Sequence, residues 1–214
     1  MNVSECLRRG EALGLPRLES QILLLYALGR PRNDRAWLVA HDTDLLEPSL
    51  VANFEAMVQR RLQLEPVAYI VGHKEFFGLS LQIDNRVLDP RDDTEVLVEW
   101  ALACSAGFSA PRFLDLGTGS GAIALALARH APQAAVVATD ASAGALEVAR
   151  GNAARHRLAV EFVHGDWWAP LAGRRFGLAV SKVDRYGSAP ERIEKGLEIL
   201  AIFPTIPARL IPQI

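Results

Sequence analysis

Apolar positions recur every three or four residues in the first third of the chain. Leu18, Ile22, Leu25 and Tyr26 fall on one stripe, and Leu50, Phe54, Met57, Val58 and Leu62 on another, which predicts two amphipathic helices with a stop at Gly29 and Pro31 between them. From Glu75 the period becomes two. Leu79, Leu81 and Ile83 alternate before Asp84-Asn85 and the apolar pair Val87-Leu88, so the pattern predicts a hairpin whose second strand holds that pair. A helix is expected over 93–104. Strands and helices then alternate: "RFLDL", a helix from about Gly121, "AAVVAT", a helix after Ser142 as N-cap, "AVEFV" and "FGLAVS". Four short apolar strands joined in this way imply an α/β fold with a doubly wound parallel sheet. The alternation stops at Ser181. "SAPERIEKGLEILAIF" reads as one helix with Ser188 and Glu191 as a capping box, and "PTIPARLIPQI" as an irregular tail. The expected divisions are a helical domain over 1–72, a hairpin connector over 73–92, a strand-helix domain over 93–181 and a tail over 182–214.

Composition narrows the picture. Half of the 214 residues are apolar, enough for a sizeable core, and a net charge of −2 with mixed signs leaves no basic footprint for nucleic acid. The opening "MNVSECLRRGEALG" is charged and amphipathic, unlike a secretory leader, and "ILLLYAL" is too short to span a bilayer. Cys6 and Cys104 fit no metal-ligand spacing, so reduced thiols in a cytoplasmic protein are expected. Five histidines show no paired-ligand spacing, and no metal site is expected. Arg60 and Arg61 read as a solvated helix face. Four isoleucines precede Lys182 and six follow it, a shift that begins where the last strand ends.

The candidate chemistry starts at "DLGTGSG", Asp115 to Gly121, between a strand and a helix. Glycines there let a ligand approach the backbone, and helix-start amides can donate to an anion. A glycine-rich turn that holds nothing is the plain alternative. Gly117, Gly119 and Ala122 also fit the dinucleotide pattern G-x-G-x-x-A, so the loop leaves the ligand open. Asp140 ends the next strand, where a carboxylate can accept from ribose hydroxyls of either NAD or S-adenosylmethionine. After the third strand comes "GDWW". Asp166 can accept from an adenine amino group and Trp167 can stack on the ring, whereas Trp168 reads as core. That acidic-aromatic pair favours S-adenosylmethionine.

"EPVAYIVGHKEFFGLSL", "VLDPRDDTEVLVEWAL", "FLDLGTGSGAIALALA" and "GDWW" together resemble bacterial protein-glutamine methyltransferases of the HemK/PrmC type. The resemblance runs through Ser181. It implies a small helical N-terminal domain followed by the first half of a Rossmann-like class I S-adenosylmethionine-dependent methyltransferase domain. It further implies methylation of the glutamine amide in the Gly-Gly-Gln loop of class I peptide chain release factors. Gly117, Thr118, Gly119, Ser120, Gly121, Asp140, Asp166 and Trp167 would hold the cofactor, and the N-terminal helices the release factor. In "PRDDTE", Asp92 stands where the family has proline, which is expected to loosen that loop.

The family's Asn-Pro-Pro-Tyr motif follows the fourth strand, where its asparagine oxygen and a backbone carbonyl accept from the substrate amide. Here those positions hold Lys182, Val183, Asp184 and Arg185. Lysine has three donors and no acceptor. The resemblance therefore implies a cofactor site without catalytic residues, the expectation being an inactive enzyme. A non-catalytic module that binds S-adenosylmethionine or a release factor is the second reading, and an NAD-dependent oxidoreductase the third. A frame shift or junction after Ser181 would account for the lost motif and the isoleucine shift together, and the other two DNA frames test it.

Overall fold

The computed structural model describes residues 1–182, so the helix expected from Ser188 and the proline-rich end lie outside the described residues. The chain divides into two units, Met1–Gly72 and a second beginning at His73.

The first unit is helical: α1 (Val3–Ala12), α2 (Arg17–Ala27), α3 (Arg35–Ala40), α4 (Pro48–Leu62) and α5 (Val67–Val71). A capping box starts α1, with Asn2 Oδ1 accepting from the Glu5 amide at 2.8 Å and the Glu5 carboxylate accepting from the Asn2 amide at 2.9 Å. Ile22, Leu23, Leu24 and Leu25 of α2 are all buried, together with Phe54, Met57 and Val58 of α4. Leu18, Tyr26 and Leu62, expected on the inward stripes, are exposed instead. The reason is packing: α1, α3, α4 and α5 all contact α2, so its buried arc is wider than one stripe and shifts toward Leu23 and Leu24. The short α3 was not foreseen, because its one buried side chain, Leu38, makes no pattern. Arg61 pairs with Glu19 at 2.7 Å and Arg60 with Glu65 at 2.7 Å, so these arginines brace α4 as well as face solvent.

The second unit opens with a hairpin, β1 (His73–Phe76) antiparallel to β2 (Leu79–Gln82). This corrects the expected pairing: the partner of Leu79–Gln82 precedes it, and Val87-Leu88 forms no strand. The turn residues Phe77 and Gly78 both have positive φ, 48° and 74°, the conformation of a two-residue hairpin loop. Phenylalanine seldom adopts it. Here its amide donates to Glu95 Oε1 at 2.8 Å and its ring meets His130 edge-on at 4.8 Å, contacts that no local pattern announces.

Helix α6 (Glu95–Ser105), β3 (Arg112–Leu116), α7 (Ala122–His130), β4 (Ala135–Asp140), α8 (Ala143–His156), β5 (Glu161–His164) and β6 (Leu178–Ser181) follow. The four strands form a parallel sheet in the order β5, β4, β3, β6, with Leu116 level with Thr139 on one side and Ser181 on the other. The chain thus winds outward from β3 to β5 and returns to the far side of β3. That reversal opens a crevice beyond the carboxyl ends of the strands, the usual ligand position in such sheets. Before α6, the "PRDDTE" segment keeps a turn of 3₁₀ helix over Asp92–Thr94, and Asp92 pairs with Lys74 at 2.9 Å. The expected loosening at Asp92 is not seen.

Candidate functional site

The site grows from the end of β3. Asp115 is fully buried there, its Oδ2 accepting from the Thr118 hydroxyl at 2.7 Å and from the Ala124 amide in the first turn of α7 at 3.2 Å. Burial pushes its carboxyl up to about 6, with the Asp140 charge adding to the effect and those two hydrogen bonds opposing it. Its other oxygen is buried with no hydrogen-bond partner among the described residues.

The glycine loop is bonded inward. Gly117 and Thr118 amides both donate to the Thr139 carbonyl at 2.9 Å, and the Gly119 amide donates to Asp140 Oδ2 at 2.9 Å. The Gly121 amide donates to the Thr118 carbonyl at 2.9 Å. The amides of Gly117, Thr118, Gly119 and Gly121 are thereby taken up within the protein, and the Ala124 amide in the first turn of α7 holds the Asp115 carboxylate. The glycines serve geometry instead: Gly117, Gly119 and Gly121 have φ of 72°, 55° and 85°.

A cleft of about 350 Å³ opens beyond the strand ends, within the range of small-molecule sites. Of the expected residues, Gly117, Gly119, Asp140, Asp166 and Trp167 line it, whereas Thr118, Ser120 and Gly121 are buried behind it and hold the loop. A Cβ on Gly119 would meet nothing within 4 Å, so this loop face is open. Asp140 is fixed by the Gly119 amide and by the Ser142 amide at 2.9 Å, leaving lone pairs for further donors. Ser142 caps α8, its hydroxyl accepting from the Ala145 amide at 3.2 Å. Trp167 has φ of 45° and stays 39% exposed, a strained position for an aromatic residue at the rim of a site. Trp168 packs against the core side chains under the sheet, as its sequence reading had it.

The sequence reading missed several lining residues, among them Arg86, Val87 and Leu88, and had Lys182 only as a departure from the family motif. Arg86 is held by Asp84 at 2.6 Å and Glu147 at 2.9 Å, and Lys182 Nζ lies 2.7 Å from Asp93 Oδ1. Asn152 was missed as well. Fully buried on α8, it accepts from the Gln82 amide at 2.7 Å and donates to the carbonyls of Gln82 at 3.1 Å and Ser120 at 2.9 Å. One side chain thereby joins the hairpin to the glycine loop. Its signal was a lone amide in the alanine-rich helix "AGALEVARGNAARH". A second hollow, of about 260 Å³, lies at the opposite ends of β3 and β6, lined by Phe108, Phe113 and Phe176 among others and by no carboxylate. Among the described residues no group of three potential ligands is placed to hold a metal ion, and no helix is long and apolar enough to cross a membrane.

Residues 3–72 match the family described as PrmC N-terminal domain, and residues 113–199 match a methyltransferase domain family, past the Ser181 where the motif-by-motif resemblance ends. A release factor glutamine methyltransferase of Bordetella pertussis is 52% identical over 169 residues, covering 78% of this chain and 62% of that protein. One of Xylella fastidiosa is 46% identical over 168 residues, covering 78% of this chain and 60% of its own. A solved Pyrococcus abyssi tRNA (uracil-54, C5)-methyltransferase, in complex with S-adenosyl-L-homocysteine, covers 55% of this chain and 29% of its own, at 20% identity and a TM-score of 0.45. Sheet order, glycine loop and family match define a Rossmann-like methyltransferase domain preceded by a helical domain. Within that class the chain is a homologue of the release factor glutamine methyltransferases, and it spans about three fifths of the length of these two relatives.

Proposed function

We infer that the cleft binds S-adenosylmethionine and that residues 1–182 carry the docking and cofactor-binding parts of a release factor glutamine methyltransferase lineage. The observation that carries this is the convergence of Gly117, Gly119, Asp140, Asp166 and Trp167 on one cleft at the switch point of the sheet. In this reading Asp140 accepts from the ribose hydroxyls, Asp166 from the adenine amino group, and Trp167 covers the ring. The buried trio Thr118, Ser120 and Gly121 keeps the loop in shape. The partner would be a class I release factor presenting its Gly-Gly-Gln loop, with the helical unit over 1–72 as its docking module. The setting is the cytoplasm, where release factors act.

When bound, the cofactor supplies an electrophilic methyl group on a sulfonium. The amide that would receive it is a poor nucleophile, so the protein must hold both N–H bonds with acceptors while the nitrogen lone pair faces the methyl carbon. Lys182, at the end of β6, offers donors only. Losing one preorganised partner costs roughly 10²–10³ in rate, and by sequence the asparagine acceptor is replaced by Lys182 and both prolines by Val183 and Asp184. The expected activity is cofactor binding without glutamine methylation.

Two measurements test this on the full chain. S-adenosylmethionine should perturb tryptophan fluorescence, Trp167 being the responder, and the response should vanish in Trp167→Phe. Labelled methyl should not pass to a release factor carrying Gly-Gly-Gln. Incorporation at that glutamine overturns the inactivity, and absence of ligand binding by calorimetry overturns the cofactor reading.

A further inference from the structure

We propose that Lys182 makes the cleft discriminate by charge at its reactive end, holding the neutral thioether S-adenosylhomocysteine more tightly than the sulfonium S-adenosylmethionine. This rests on the cofactor reading above and goes beyond it, because it assigns a ligand preference to a residue peculiar to this site.

The sheet order gives the placement. Asp140 follows β4, and Asp166 and Trp167 follow β5, so the groups suited to a nucleoside lie on one side of β3. Lys182 follows β6 on the other side, yet lines the same cleft. A ligand with its nucleoside toward β4 and β5 therefore carries its sulfur past Gly117, at the end of β3, toward the Lys182 ammonium.

The ion pair does not cancel that charge inside the cleft. The Lys182 side chain is 17% exposed, whereas its partner Asp93 is 68% exposed. Water screens the carboxylate much more than the ammonium, so the field reaching the ligand is weighted to the cation. The pair nevertheless forms, and the Lys182 hydrogen bond holds the Asp93 carboxyl below the usual carboxylate range. Among the described residues the remaining charged groups on the cleft wall do not offset it. Arg86 is bound to Asp84 and Glu147, Asp140 is turned to the Gly119 and Ser142 amides, and Asp166 stands beyond β5. Among the described residues Asp140 and Asp166 are the carboxylates lining the cleft, and both lie on the nucleoside side. A positive sulfur is thus met by a positive neighbour, and a thioether is not.

Calorimetric titration of the full chain with S-adenosylmethionine and with S-adenosylhomocysteine tests the proposal. The wild type should bind the thioether at least about tenfold more tightly, a modest electrostatic difference. Because thioether preference alone has other sources, two variants decide the cause. Lys182→Met keeps the length and removes the charge, and should bring the two dissociation constants within about threefold by strengthening sulfonium binding. Asp93→Asn removes the counter-charge and should widen the preference. An unchanged ratio in both variants, or a wild type that holds the sulfonium as tightly, overturns the proposal. Binding of neither ligand by any of the three proteins, each folded by circular dichroism, overturns the cofactor reading and this proposal with it.

Discussion

Asp115 is an ionisable group buried for structural reasons, and its cost should be visible in solution. Its carboxyl sits at about 6 in the folded chain against an ordinary 3.8, so between those values the native state binds more protons than the unfolded state. Stability should accordingly fall as pH rises from about 4 to about 6, by about 3 kcal/mol in all, and be recovered on acidification. Asp115→Asn, which keeps an acceptor for Thr118 and Ala124, should flatten that slope in denaturant midpoints measured from pH 4 to 7. Gly121 makes a different demand. With φ of 85°, and with an added Cβ 3.1 Å from Leu125 Cδ1 and 3.2 Å from Ala149 Cβ, Gly121→Ala should cost about 1–3 kcal/mol. Equal midpoints for variant and wild type would show that the loop yields. The glycine was legible in the sequence as part of a loop; that it caps α7 and touches no cleft surface was not.

The elements divide by the range of the forces that set them. Strands β3 to β6 and helices α6 to α8 were readable because apolar runs, glycine turns and the Ser142 cap are local signals. The hairpin was misread by one strand, since its turn is "FG" and not an asparagine-glycine pair, and Phe77 is held at positive φ by Glu95 and His130 from other elements. The attachment of that hairpin to the site is equally non-local. Asn152 satisfies both backbone groups of Gln82 and the Ser120 carbonyl from one buried side chain. Asn152→Ala leaves those groups unpaired, and a loss of about 2–4 kcal/mol is expected, with cofactor affinity reduced because the loop loses a support. Chemical denaturation and calorimetry on the same variant separate the two effects. If stability falls and affinity holds, the Asn152 bond to Ser120 is structural alone.

Across the molecule the described chain holds a helical unit and a sheet unit, each with its own core. A ligand in the cleft should stabilise the sheet unit by mass action, about 2.7 kcal/mol at a hundredfold excess over its dissociation constant. Hydrogen exchange with and without S-adenosylhomocysteine checks this, and amides of β3, β4 and α7 should gain the most protection. The class of fold and the eight candidate cofactor residues follow from short-range features of the sequence: periodicity, glycine spacing and acidic strand ends. The order of strands in the sheet and which five of the eight line the cleft do not. Lys182 was legible as a departure from a motif, but its ion pair with Asp93 and its place on the cleft wall were not. Neither was the inward bonding of the glycine loop, whose Gly117, Thr118 and Gly119 amides meet Thr139 and Asp140 while Asp115 accepts from Thr118 and Ala124. Those features depend on side chains and backbone groups brought together from positions far apart in the chain, and no local pattern encodes which of them will meet.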